Sequence, residues 1–298
     1  MLFCEFWGDS KNLYKIEKLF HYNYMRKIVI FSDLDGTLLD HNTYSYDAAK
    51  EALSIIKKKN IPLIFTTSKT RAEVLKLQED MGVDYPFIVE NGGGIIFREK
   101  DIDENLKKKV QEIGEGFYAL ILGAKRNDLI RFGQSLKKKY NLKLFSEMSD
   151  DELMEIMSLP FERLSLSKMR EFSEPFILED KCAVEELLRE VEKSDFKILK
   201  GGRFYHLVGK HQDKGKAVEK VKEFYVKKYE KIVTIGVGDS SNDIDLLKEV
   251  EYPILVKKWD GKHVECSVKN VIKSNFIGPE GFNYEVIDLL KSLGVYNG

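Results

Sequence analysis

Two carboxylates separated by one residue, Asp33 and Asp35, stand at the end of the apolar run Ile28-Val29-Ile30-Phe31 and lead directly into Gly36-Thr37. If that run is a buried strand, both acids emerge at its C-terminal edge, where open α/β sheets place their ligands. Acids this close repel each other unless a cation lies between them, so the pattern suits a hard-metal site. An ordinary acidic turn after a strand is the competing reading of this segment. Three further segments carry chemistry of the same kind: Thr66-Thr67-Ser68-Lys69, Asp213-Lys214-Gly215-Lys216, and Gly238-Asp239-Ser240-Ser241-Asn242-Asp243. Together they offer carboxylates, a hydroxyl and a lysine, which amounts to a nucleophile, metal ligands and donors for phosphate oxygens. That inventory fits phosphoryl transfer, where positioning and charge neutralisation supply most of the catalysis.

Secondary elements must bring these segments together. Ala49, Ala52, Leu53 and Ile56 follow helical spacing after the first strand. Ile61 to Thr67 reads as a second strand, and Thr70-x-x-Glu73 is a capping box that opens a helix closed by Gly82. Pro86 to Val89 reads as a third strand, ending at Glu90-Asn91-Gly92-Gly93-Gly94. Downstream, Lys231 to Val237 and Tyr252 to Val256 are strands, and Tyr284 to Leu293 is a terminal helix. Strands alternating with helices predict an α/β fold with a doubly wound, mainly parallel sheet, which sets the four polar segments along one edge. From Ile95 to Val208, helical patterns alternate with strand-like segments such as Phe117–Leu122, Pro175–Leu178 and Phe204–Val208, and Ser149-x-x-Glu152 marks another helix start. The expected organisation is therefore a core of residues 25–94 and 209–298, with an α/β cap of residues 95–208 inserted to close over the site.

Composition narrows the function. The chain has 298 residues, 43% hydrophobic and 33% charged, with a formal net charge of -1, so a strongly basic nucleic-acid binder is excluded. The lysine runs at 57–59, 107–109 and 137–139 fall late in helical patterns and read as solvated faces. Cys4, Cys182 and Cys266 are scattered without metal-ligand spacing, which suits a reducing, cytoplasmic location. No apolar run approaches the roughly 20 residues that span a bilayer, so no membrane partner is expected. Residues 1–24 lack the order of a signal peptide. They read either as a short docking helix or as sequence preceding a true start at Met25.

Asp33-x-Asp35-Gly36-Thr37, Thr67, Lys214 and Gly238-Asp239-x-x-Asn242-Asp243 resemble the four motifs of the haloacid dehalogenase superfamily. The resemblance runs from about Lys27 to the end of the chain. The long insertion between the second and third motifs resembles the group with a C2-type cap. Ser68-Lys69-Thr70-Arg71-Ala72-Glu73, Pro86-Phe87-Ile88-Val89-Glu90-Asn91-Gly92, Arg170-Glu171-Phe172-Ser173-Glu174-Pro175-Phe176 and Gly201-Gly202-Arg203-Phe204-Tyr205-His206-Leu207 are similar to the mannosyl-3-phosphoglycerate phosphatase family.

The resemblance implies a Mg²⁺-dependent phosphatase that acts on a small sugar phosphate and releases mannosylglycerate, a compatible solute. It makes Asp33 the nucleophile that forms an aspartyl phosphate, and Asp35 the general acid and base. Thr67 and Lys214 would hold phosphoryl oxygens. Asp33, Asp239 and the backbone carbonyl of Asp35 would bind Mg²⁺, with Asn242 and Asp243 orienting ligands or waters. Capping of a helix near Ile244 is a compatible role for Asn242 and Asp243, and Lys214 also reads as a surface lysine. Lys69, Arg71, Glu90, Asn91, Arg170 and Arg203 are candidate substrate contacts, the arginines because guanidinium pairs with carboxylate in bidentate fashion. A solvated charge is the competing reading for Lys69 and the three arginines, and a simple turn for Glu90-Asn91-Gly92. Phosphatases of glucosyl-3-phosphoglycerate, sucrose phosphate or trehalose phosphate, and a non-catalytic phosphosugar-binding protein, are the alternative functions.

Overall fold

The computed structural model describes residues 26–157, 160–201 and 203–297. The expectations for residues 1–24 lie outside the described residues. The chain begins with β1 (Lys27–Ser32), α1 (Lys50–Lys58), β2 (Leu63–Phe65), α2 (Arg71–Met81) and β3 (Phe87–Val89). It continues through β4 (Gly94–Arg98), α3 (Glu104–Lys107), β5 (Gln111–Glu112) and β6 (Phe117–Ile121). Next come α4 (Arg126–Tyr140), β7 (Leu142–Leu144), α5 (Asp150–Met157), α6 (Phe161–Ser167), β8 (Ser173–Leu178), α7 (Val184–Val191), β9 (Phe196–Lys200) and β10 (Tyr205–Gly209). The return is α8 (Lys214–Tyr229), β11 (Ile232–Gly238), α9 (Ile244–Lys248), β12 (Tyr252–Lys257), β13 (Ile272–Ile277) and α10 (Gly278–Ser292).

The central sheet has the order β13-β12-β11-β1-β2, with every neighbouring pair parallel. Its strands are apolar runs because helices cover both faces: Ile28 and Ile30 pack with α1 and α10 on one side, Val29 and Phe31 with α8 and α9 on the other. Local signals hold where the chain leaves the sheet. Thr70 accepts the N–H of Glu73, Glu73 accepts the N–H of Thr70, and Gly82 closes α2 at φ +64°.

The structure departs from expectation at several elements: the terminal helix expected from Tyr284 begins at Gly278, for example. The strand expected over Ile61–Thr67 is confined to Leu63–Phe65; Thr66 still donates to the Ser32 carbonyl at 2.8 Å and also bridges Ile88 of β3. Beyond that bridge, the direction of pairing changes. β3 pairs antiparallel with β4 in a sheet of order β3-β4-β6-β5. Ile95 and Phe97 of β4 share a core with Val29, Ile64 and Val218, and Ile96 and Ala119 share the other core cluster. Residues 95–122 therefore pack with the core, although the sequence pattern set the insert's start at residue 95. Alternation reveals a strand but not which sheet it joins.

From α4 to β10 the chain forms a further sheet with its own cluster, although Phe172 packs into the core's cluster. This antiparallel sheet, β7-β8-β10-β9, buries Phe176, Leu178 and Leu207 against α4 and α7. A smaller cluster joins Phe145, Leu153, Leu164 and Phe204 beneath α5 and α6.

Candidate active site

The register of the central sheet builds the site. Ser32 of β1 lies opposite Val237 of β11, and the N–H of Asp33 donates to the Val237 carbonyl at 2.9 Å. Two strands therefore end side by side and release Asp33 and Asp239 at the same edge. Gly36, at φ +82°, makes the tight return. A Cβ there would meet Asp239 Oδ2 at 2.8 Å, so the turn and the acid are fitted to each other. The Thr37 hydroxyl reaches Asp33 Oδ2 at 3.4 Å and Asp239 Oδ1 at 3.5 Å.

Lys214 enters from the first turn of α8, whose N-cap Asp213 accepts the N–H of Lys216. Its ammonium donates to Asp33 Oδ1 at 2.6 Å and to Asp243 Oδ1 at 2.7 Å. Asp243 also accepts the backbone N–H groups of Asp239 (3.2 Å) and Ser240 (3.0 Å), so it shapes the loop as well as facing the lysine. Asp33, Asp239, Asp243 and Lys214 are all buried. Burial, and then the charge of Asp243, push Asp33 up to about 7, against the opposing pull of Lys214. Burial followed by Asp243 and Asp33 push Asp239 up to about 8. Burial would lower Lys214, but Asp243 and Asp33 outweigh it and hold its pKa above the ordinary lysine value. Oxygens of Asp33, Asp239 and Asp243 lie within 4.8 Å of one another. Three buried carboxylates against one ammonium leave an excess of negative charge, and an all-oxygen donor set suits a hard divalent cation. The residues fit the expected metal.

Asp35 faces a different partner. Lys69 Nζ lies 2.9 Å from Asp35 Oδ1 and 3.8 Å from Glu73 Oε1. Burial would lower Lys69, but Asp35 and Glu73 outweigh it and keep it firmly cationic. The Asp35 side chain is 35% exposed where that of Asp33 is 7%, so Asp35 is the carboxylate of the pair that can meet solvent or a leaving group. The Thr67 hydroxyl is buried at the end of the second strand's path and accepts the N–H of Lys69 at 3.2 Å.

The remaining expected contacts separate. Glu90 and Asn91 occupy left-handed backbone at φ 49° and 59°, and both are buried. Glu90 has its carboxylate bound by the insert. It accepts the N–H of Glu171 (2.7 Å), the N–H of Phe172 (3.2 Å) and the Ser173 hydroxyl. Asn91 accepts from Asn242 Nδ2 at 3.2 Å, which ties it to the loop bearing Asp239 and Asp243. Arg71 forms a two-point pair with Glu171. Arg170 donates to the Ser68 carbonyl at 3.3 Å and to Ser173 Oγ at 3.0 Å. Arg203 is exposed and donates to the Met157 carbonyl within the insert. Gln212 escaped the sequence reading: its amide donates to the carbonyls of Glu90 (2.6 Å) and Phe172 (3.1 Å). Its place two residues before Lys214 was the available signal. A separate cavity of about 530 Å³ between β4, β6 and α8 is walled by Phe97, Leu106, Leu120 and Phe224 and holds none of the site's acids. No helix among the described residues is long and apolar enough to cross a membrane.

The family model for haloacid dehalogenase-like hydrolases matches residues 30–275. Over 268 residues, 89% of this chain and 98% of the relative, the sequence is 41% identical to a glucosyl-3-phosphoglycerate/mannosyl-3-phosphoglycerate phosphatase of Persephonella marina. It is 32% identical over 249 residues to a mannosyl-3-phosphoglycerate phosphatase of Pyrococcus furiosus, covering 82% of this chain and 98% of the relative. A solved sugar phosphatase of haloacid dehalogenase subclass IIB superposes with a TM-score of 0.60 at 17% identity, over 91% of this chain and all of the other, which speaks to the fold.

Proposed function

The chain belongs to the family of haloacid dehalogenase-like hydrolases, and on that premise we propose that it hydrolyses glycosyl-3-phosphoglycerates, mannosyl-3-phosphoglycerate first among them. The observation that carries this reading is the convergence of Asp33, Asp239, Asp243 and Lys214, from three separate segments, into one buried cluster at the sheet edge. The names of the relatives support the substrate class. The name of the Persephonella marina relative covers both sugars, which favours acceptance of the glucosyl compound as well.

In the proposed reaction, a carboxylate oxygen of Asp33 attacks phosphorus. The bond to the glycerate oxygen breaks, and Asp35 gives that oxygen a proton. Asp35 then takes a proton from the water that attacks the aspartyl phosphate, which releases phosphate and restores Asp33. Lys214 and Thr67 neutralise and position the transferring phosphoryl oxygens. Lys69 fixes the position of the Asp35 carboxylate. Mg²⁺, held by Asp33, Asp239 and the backbone carbonyl of Asp35 with Asn242 and Asp243 in support, would offset the repulsion between nucleophile and phosphate.

The test is phosphate release from mannosyl-3-phosphoglycerate, glucosyl-3-phosphoglycerate, sucrose phosphate and trehalose phosphate, with Mg²⁺ and with chelator. Mg²⁺-dependent turnover of the glycosyl phosphoglycerates over the disaccharide phosphates is expected. A preference for a disaccharide phosphate would discard the substrate assignment, and release that survives chelation would discard the metal.

A further inference from the structure

One face of the insert's sheet is shared between the core, which Ser173 meets, and the cluster beneath α5 and α6, against which Ile177 packs. Alternation along β8 places Ser173, Pro175 and Ile177 on one side, and the pairing of His206 with Pro175 and of Val208 with Ser173 adds His206 to that side. Ser173 on this face bonds Glu90 of the core, while Phe176 and Leu207 on the other face are buried against α4 and α7. Arg170, just ahead of β8, spans from Ser173 to the Ser68 carbonyl, in the loop that follows Thr67.

Two buried polar atoms here have no hydrogen-bond partner among the described residues, Arg170 Nε and His206 Nδ1. The Arg170 side chain is 7% exposed. Its guanidinium lies 5.7 Å from the ring of Phe145, which packs edge-on against Phe204, two residues from His206. Burial, and then the charge of Arg170, lower His206 to about 3, so the imidazole is neutral and carries a single N–H at neutral pH. Buried polar atoms are rarely left unpaired in native proteins; Arg170 already has the Glu90 carboxylate 3.9 Å from its Nη1, and its Nε edge is the one left without a partner.

Resting on the substrate reading above, we propose that Arg170 and His206 form the subsite for the substrate's glycerate carboxylate, with Arg170 Nε–H donating to it and His206 Nδ1 donating in the tautomer that carries the ring proton there. The placement matches the chemistry of the ligand. In a 3-phosphoglycerate unit the carboxylate lies only a few bonds from the phosphate, and Arg170 touches the loop whose Thr67 is assigned to that phosphate. A site built from two such donors rejects a sugar phosphate that lacks the acid, because both donors then stay buried and unpaired.

The test compares kcat/KM for mannosyl-3-phosphoglycerate with kcat/KM for p-nitrophenyl phosphate, which has no carboxylate, in the full chain with Mg²⁺. His206→Leu should lower the ratio of the two by roughly 10- to 100-fold, mainly through KM of the glycosyl substrate. His206→Asn, whose amide nitrogen takes the place of Nδ1, should restore most of the ratio. A ratio unmoved by His206→Leu, or equal loss on both substrates, would overturn the subsite while leaving the substrate reading intact. If the parent enzyme turns over p-nitrophenyl phosphate but not the glycosyl phosphoglycerate, the substrate reading fails and the subsite falls with it.

Discussion

The carboxylate of Glu90 accepts the backbone N–H of Glu171 at 2.7 Å, so a buried acid of the core grips the inserted domain across 81 positions of sequence. Its other oxygen takes the N–H of Phe172 and the Ser173 hydroxyl, and the next residue, Asn91, bonds Asn242 beside the acidic cluster. Two consecutive residues thus join the insert to the loop bearing Asp239 and Asp243.

Glu90→Ala removes the acceptor and leaves those cap donors without a partner. It should destabilise the protein by about 3–5 kcal/mol, the usual result of breaking a buried charged network. Urea unfolding gives the stability and kcat/KM the effect on catalysis. Full activity and stability in Glu90→Ala would show that the grip is dispensable.

Asp33→Asn keeps the size of the side chain and removes the proposed nucleophile. Turnover should fall by more than about 10⁴-fold, with the circular dichroism spectrum unchanged. Substantial residual turnover would reassign the attacking group.

Lys214→Met leaves Asp33 and Asp243 facing each other without their ammonium. A loss of about 3–5 kcal/mol is expected without metal, recovered in part when Mg²⁺ is added. Denaturation midpoints with and without Mg²⁺ measure both effects.

Mg²⁺ should raise the stability of the parent protein by about 2.7 kcal/mol at one hundred times its Kd. Asp239→Asn should reduce that gain. A thermal midpoint that does not respond to Mg²⁺ in the parent would argue against the metal site.

The metal-free protein should lose stability as pH rises. Asp33 and Asp239 sit near pKa 7 and 8 in the fold, against an ordinary value of 3.8. The folded state therefore holds protons that the unfolded state has already released. That contribution is complete below pH 3.8 and is lost progressively as pH climbs through 7 and 8. Urea midpoints at pH 5 and pH 8.5 in chelator should fall toward the alkaline side. Added Mg²⁺ should flatten the trend.

The convergence of the acidic cluster was legible in the sequence because its signals are local. Asp33 and Asp35 follow an apolar run, Asp239 and Asp243 follow another, and a parallel sheet built from such runs delivers its loops to one edge. The capping box at Thr70 and the left-handed Gly82 are equally local and stand where the spacing put them. Tertiary structure decided whatever depends on partners distant in sequence. Residues 95–122 joined the core because β4 found β3, a choice alternation does not encode. Glu90 turned to the insert's backbone, and Arg203 to Met157. The role of Gln212 exists only because Glu90 and Phe172, 122 and 40 residues away, bring their carbonyls to it. Residue type and spacing determine which chemistry is available. Only packing of the whole chain decides which polar groups satisfy one another and which stay open for a ligand.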